Sequence, residues 1–470
     1  MQHPLSKRDA KHELHRRALI KWSLAAGAAL GVSRSGIFDI LERTAGKDVA
    51  FAAAENPTRR SVSLIAGTGG LAWFTLLWPQ YDVALANNPA LSWHKPGMAT
   101  TVPGTRNLVI GPDTPFANLP AGRQMTCFTA GANQTHLKNP DVAANLNGNN
   151  IYSVIASLQA SSPSIIPFIS IETPRGGGTQ TDVGTAPGAP MVSRVNNAEG
   201  VTSLFNSAAS RAGGLLSNPA NAQMYKAHYE AFAQLNRASN RSTTRTAYQT
   251  ATSAASFLGT NLSAKLAITP ADLTRYGVDG GMQSSVADIA RIFIVAVKSF
   301  KMGLTNAIVA PVLNDDPHTA FTAGGINIVP PQLKRVMDAF MADLTATTDD
   351  ATGKSLADDT VLTITGDTPK SATIPRGGAG WDDSSPGNHN VVFVYSAGDL
   401  KSGWFGSVSR AGAVQGYDPQ GRNAAYNPAL TARLALSSVA YAIAKRDDRM
   451  ITSFTNNTPV SDIFGNPKQT

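Results

Sequence analysis

The sequence predicts an α/β fold, a mostly parallel central sheet flanked by helices with a helical cap insertion. Three observations predict it. Short β-rich runs alternate with segments of helical spacing, the last two such runs lie close together, and 42% of residues are apolar, enough to bury a sizeable core. The 470 residues allow two or three domains, or one large α/β domain with insertions, at roughly 150 residues per domain. Gly (41) and Pro (28) point to many turns and long loops between these elements.

The first 54 residues read as an address. Arg16-Arg17-Ala18-Leu19-Ile20-Lys21 precedes a short Ala- and Gly-rich apolar run over 23–32. A basic stretch before a weakly hydrophobic one has the form of an export signal. The paired arginines, the apolar pair and the lysine resemble the bacterial twin-arginine signal, although His15 stands where Ser or Thr is commoner. The apolar run is too short to span a bilayer, which takes about 20 helical residues. Small residues over 50–54 offer a cleavage site before Glu55. The plain alternative is an amphipathic N-terminal helix with a chance Arg pair. The expectation is passage through the twin-arginine translocase to a periplasmic or extracellular location, with no transmembrane span.

Residues 55–470 are expected to form the α/β domain. Arg59 to Gly70 reads as a central strand entering a Gly-rich turn, and Leu71 to Trp78 begins a helix or buried loop. Residues 79–125 are Pro-, Asn- and Gly-rich and read as a long excursion. Ile151 to Ala160 has helical spacing and Ile165 to Glu172 is a strand. Residues 198–300 read as mainly helical, ending in a strongly apolar helix over 284–300. Asn306 to Leu313 is a buried strand, and Pro330 to Leu344 an amphipathic helix with Leu333, Val336, Met337, Phe340 and Leu344 on one face. Asp359 to Thr365 and Asn390 to Ser396 close the sheet, and Leu430 to Ala444 is an Ala/Leu helix.

In open parallel sheets ligands bind beyond the carboxyl ends of the strands. The residues there are Asn314-Asp315-Asp316-Pro317-His318, Gly366-Asp367-Thr368-Pro369-Lys370 and Pro386-Gly387-Asn388-His389. Asp and His are ligands a hydrolytic metal site uses. Asp316 and His318, two apart in extended chain, point the same way. Asp316, His318, Asp367 and His389 are therefore the candidate metal ligands, and Lys370 and Arg376 the candidate anion-binding groups. Each has a plain reading as well: Asp316-Pro317 and Asp367 as turn residues, His389 as a satisfied histidine at a strand start. Thr68 and Thr75 are the candidate nucleophiles near the first strand's end; as turn and helix-start residues they need no role.

These segments, in this order, resemble a family of exported bacterial proteins in the alkaline-phosphatase and sulfatase superfamily. Asp316-Pro317-His318 stands where the family has Asp-Thr-His, Gly366-Asp367-Thr368-Pro369 resembles its Ser-Glu…Thr-Pro segment with three residues missing, and Gly387-Asn388-His389 its Asp-His segment. Ser402-Gly403-Trp404-Phe405-Gly406 matches the turn after the last strand, and Asn133-Gln134-Thr135-His136 an early His. The resemblance covers essentially the whole chain and implies an alkaline-phosphatase-like α/β fold with a two-metal hydrolytic centre. It breaks at the first strand: no Asp or Glu lies in residues 67–80 where the superfamily places an acidic ligand. A second register over 363–370 puts Ile364 at the acidic position and Asp367 at the Arg. The implied site therefore holds a single divalent ion such as zinc or calcium, or none.

Three function classes follow: a metal-dependent hydrolase of phosphate or sulfate esters; a protein on that fold that has lost full two-metal catalysis and serves binding or cell-envelope assembly; and a nucleic-acid binder. The missing acidic residues favour the second, whose partners are envelope proteins or an anionic ester. The third rests on charge alone. Net charge is +8, but nine Lys/Arg against five Asp/Glu fall in the first 54 residues. Arg237, Arg241 and Arg245 share a helical spacing that is ordinarily a solvated face. The lone Cys127 excludes an intramolecular disulfide and a multi-cysteine metal site.

Overall fold

A computed structural model describes residues 57–84, 98–132, 144–173, 183–205, 261–316, 325–367, 369, 375–376, 380–381, 389–409, 412–457, 460 and 464–466. The export segment with Arg16, Arg17 and Ala54, the early His136, the basic helix over 234–245, His318 and Lys370 lie outside these residues.

The chain divides into two compact units. In the smaller one, the described helices are Gly200–Leu204 and Leu262–Leu266; the Asn261 side chain caps the second by accepting the Ala264 N–H at 3.0 Å. Residues 268–300, expected to belong to the helical insertion, fall in the larger unit.

That larger unit carries an eight-stranded sheet. Its strands are β1 (Arg60–Ala66), β2 (Met125–Ala132), β3 (Phe168–Ile171), β4 (Ser193–Val195), β5 (Ala307–Val312), β6 (Thr360–Gly366), β7 (His389–Tyr395) and β8 (Gly403–Phe405). Their order is β8-β2-β7-β6-β1-β5-β3-β4. Seven run parallel, and β7 alone is antiparallel to both of its neighbours. The mostly parallel α/β expectation is met in this form.

Burial dictates the sequence of the inner strands. β1, β5 and β6 are buried at every position, which is why they read as near-continuous apolar or β-branched runs. Two helical layers cover the sheet. One holds α2 (Ile151–Gln159), α5 (Pro428–Ile443) and α6 (Asp448–Thr455), whose apolar side chains join Ile65, Val309 and Val361 in one core. The other holds α1 (Leu71–Leu77), α3 (Ser284–Lys301) and α4 (Val329–Ala346), with Phe293 stacked on Phe340 at 3.9 Å between ring centres. Helix starts follow local chemistry: the Asn150 side chain accepts the Tyr152 N–H at 3.0 Å, and Asn427 accepts the Leu430 N–H at 3.0 Å just before Pro428.

The sequence pattern does not announce β2, β4 or β8, and Gly403–Phe405, read from sequence as the turn after the last strand, is itself the edge strand β8. In β2, Thr126, Thr129 and Gly131 interrupt Met125, Cys127, Phe128 and the alanines, so it lacks an apolar run. Its threonines are satisfied sideways instead: Thr126 Oγ1 donates to the Lys401 carbonyl at 2.9 Å and Thr129 Oγ1 to that of Phe405 at 3.4 Å. Among the described residues no helix is long and apolar enough to cross a membrane.

Candidate functional site

β1, β5 and β6 end side by side, Ala66 in register with Val312 and Gly366. The pairing continues one residue further: Gly67 N–H donates to the Val312 carbonyl at 3.1 Å and Asp367 N–H to that of Ala66 at 2.8 Å. The turn Gly67-Thr68-Gly69-Gly70 then leads into α1. Gly70 in this turn and Gly366 beside it are required by space. A Cβ on Gly70 would lie 1.7 Å from the Leu313 carbonyl oxygen, and one on Gly366, at φ +147°, 2.0 Å from that of Ala66.

Asp367 is fully buried and aimed into this turn, where its Oδ2 accepts the Gly69 N–H at 2.9 Å. The carboxylate thus satisfies a backbone donor that would otherwise be stranded away from water. Thr68 adopts φ +40°, an outlier for a β-branched residue, and its hydroxyl donates to Asn314 Oδ1. Leu313, at the end of β5, also has a left-handed backbone, φ +47°. Next on that loop, Asp315 accepts the Ser285 hydroxyl at 2.6 Å, tying the loop to the start of α3, and Asp316 follows, half-buried.

The first residue of β7 brings His389 to the same edge of the sheet, because β7 runs against its neighbours. The histidine is 4% exposed, pairs with Ala132 and stands edge-on to the Tyr426 ring at 6.4 Å. Here β2 carries a bulge: Ala130 and Gly131 oppose the single residue Asn390, with Gly131 at φ +74°. The Tyr426 hydroxyl donates to the Gly131 carbonyl. Asn390 Nδ2 donates to the Gly366 carbonyl at 2.7 Å, so it braces the residue before Asp367. Beneath the edge, Tyr152 and Thr365 share a buried hydroxyl–hydroxyl bond of 2.6 Å. Burial raises both phenols well above their usual range, outweighing the hydrogen bonds from Thr365 to Tyr152 and from Thr431 and Asn390 to Tyr426. Both therefore stay neutral.

The topology thus carries Thr68, Asp316, Asp367 and His389 to one edge of the sheet, as the strand-end argument expects. Two of the candidate side chains have structural partners. Asp367 serves a backbone N–H, and Thr75 donates its hydroxyl to the Ala72 carbonyl within its own helix at 2.7 Å. Arg376 lies in a two-residue strand, Pro375–Arg376, paired with Gly380–Trp381. Among the described residues no three His, Cys, Asp or Glu side chains form a group that could hold a metal. Sequence reasoning missed Asn314, Asn390, Tyr152 and Tyr426; Asn314 and Asn390 adjoin strand ends already singled out, while Tyr152 and Tyr426 carry no local signal.

No family model, curated protein or solved structure matches the chain.

Proposed function

We propose that this is an exported α/β protein, alkaline-phosphatase-like in its strand-end motifs, whose site serves binding or cell-envelope assembly in place of two-metal ester hydrolysis. The observation that carries the reading is the Asp367–Gly69 bond. The residue best placed to supply an acidic ligand from β6 uses one carboxylate oxygen to hold the β1–α1 turn, and residues 67–80 contain no Asp or Glu to add to it. Function lives in the site and not in the sheet, and the Asp367 carboxylate has a structural partner there without any cation.

The test is metal content and ester hydrolysis of the exported, full-length protein. The expected result is substoichiometric zinc and calcium and no turnover of aryl phosphates or sulfates above that of a Thr68→Ala variant. Stoichiometric metal that is lost on His389→Ala would overturn the reading. Export is tested separately, by replacing Arg16 and Arg17 with Lys and following the protein across the inner membrane; unimpaired passage would remove the twin-arginine part of the proposal.

One observation favours a hydrolase instead. Thr68 is a β-branched residue held in left-handed backbone between Gly67 and Gly69, and strain of this kind collects at functional sites. Esterase activity abolished by Thr68→Ala and kept by Thr68→Ser would select that reading.

A further inference from the structure

The hairpin before α2 pairs Asn145 with Asn150 and Leu146 with Asn149, leaving Asn147 and Gly148 as its two loop residues. Both have positive φ, +49° and +86°, the backbone of a two-residue type I′ turn that an Asn-Gly pair favours. Asn147-Gly148 is the one Asn-Gly pair in the chain. With no Cβ on Gly148, its amide nitrogen is sterically open to attack the neighbouring side chain.

We infer that Asn147 is a site of spontaneous deamidation gated by the docking of α6. In the reaction Gly148 N gives up its proton to solvent base and bonds to Asn147 Cγ. The Cγ–Nδ2 bond breaks and the nitrogen leaves as ammonia. Water then opens the succinimide at either carbonyl, giving aspartate or isoaspartate, with no change of oxidation state.

In the folded chain both reacting groups are engaged. The Gly148 N–H donates to Asn145 Oδ1 at 2.7 Å, and Asn147 Nδ2, the leaving nitrogen, donates to the Phe454 carbonyl at 2.6 Å. Phe454 lies in the last turn of α6, whose terminal carbonyls lack partners within the helix. Asn147 therefore supplies an outside cap to α6, and the reaction requires α6 to let go. The product reverses the contact. A carboxylate has no proton to donate and faces a carbonyl at the negative end of a helix. Deamidation thus converts a cap into a repulsion and weakens the docking of α6.

The experiment incubates the full-length protein at mildly alkaline pH and follows amide-to-acid conversion at Asn147 by peptide mapping, with and without denaturant. Slow conversion in the folded protein, faster in denaturant, is expected. Asn145→Ala should accelerate the folded-state reaction by up to about tenfold, the factor one hydrogen bond represents. Asn147→Asp should speed hydrogen exchange across 448–455 more than Asn147→Ala does. Equal rates in folded and denatured protein, no conversion in Asn145→Ala, or wild-type exchange in Asn147→Asp would each overturn the inference.

Discussion

The carboxylate of Asp367 accepts the backbone N–H of Gly69 at 2.9 Å, joining the end of β6 to the turn after β1 in the buried centre of the sheet edge. This single bond separates a structural from a catalytic account of the site. Asp367→Ala strands the Gly69 N–H and should cost about 1–3 kcal/mol in urea unfolding. Asp367→Asn keeps an acceptor and should cost less. A chelator should leave the unfolding midpoint of the wild type unchanged; a midpoint lowered by chelator in the wild type and not in Asp367→Asn would mark Asp367 as a ligand after all.

Two glycines beside this bond, Gly70 and Gly366, admit no side chain. Gly70→Ala would drive a methyl onto the Leu313 carbonyl and Gly366→Ala onto that of Ala66. Each should destabilise the protein by roughly 3 kcal/mol or more, since backbone must move to relieve the overlap. Gly104→Ala is the comparison. Like Gly366 it has a positive φ, +75°, but it meets nothing within 4 Å, so its cost should stay at about 1–2 kcal/mol. Soluble yield and chemical denaturation of the three variants read the difference.

How much of this was open to the sequence depends on what each residue is paired with. Strands buried on both faces, such as Ser61–Ala66 and Ala307–Val312, declare themselves because burial dictates their composition. β2 does not, because Thr126 and Thr129 find partners in carbonyls from residues 401 and 405, hundreds of positions away. The same holds at the site. Strand-end placement of Thr68, Asp367 and His389 follows from alternation of strands and helices. The choice of Gly69 as the partner of Asp367, or of Asn390 as the brace of Gly366, is made by tertiary register. Likewise Thr75 is a candidate nucleophile in one dimension and a hydrogen-bonded helix residue in three.

A second carboxylate gives a pH signature. Burial alone would raise Asp272, but the Lys298 ammonium at 2.5 Å and the Thr269 N–H and hydroxyl, each at 2.8 Å, outweigh it and hold the carboxyl down to about 2. A depressed carboxyl contributes stability above its unfolded pKa of about 3.9, and that contribution is lost as pH falls through the folded value. Unfolding midpoints measured from pH 6 downward should therefore decline between about pH 4 and about pH 2. Lys298→Met should weaken the protein at neutral pH and shift this decline upward. An unchanged acid profile in that variant would show that Lys298 contributes nothing to the depression.

The opposite edge of the sheet holds the strongest electrostatic dependence. Arg59, just before β1, meets Asp399 through two bonds of 2.6 and 2.8 Å, and Arg446 approaches the same carboxylate at 3.3 Å. Arg60 reaches Asp349 and, at 3.1 Å, Asp359, which Lys445 also contacts at 2.7 Å. Asp399 is fully buried, and two guanidinium groups share this one desolvated anion. Asp399→Asn leaves both cations without it and should cost about 3–5 kcal/mol, because breaking a buried pair is worse than never having made it. Arg123→Ala, which removes the exposed pair with Asp358, should cost no more than about 1 kcal/mol. Urea denaturation of the two variants at neutral pH and matched salt provides the comparison. Equal and small losses would mean that the buried pairs are as replaceable as the one on the surface. A loss confined to Asp399→Asn would establish that the central strand is anchored at its start by buried charge.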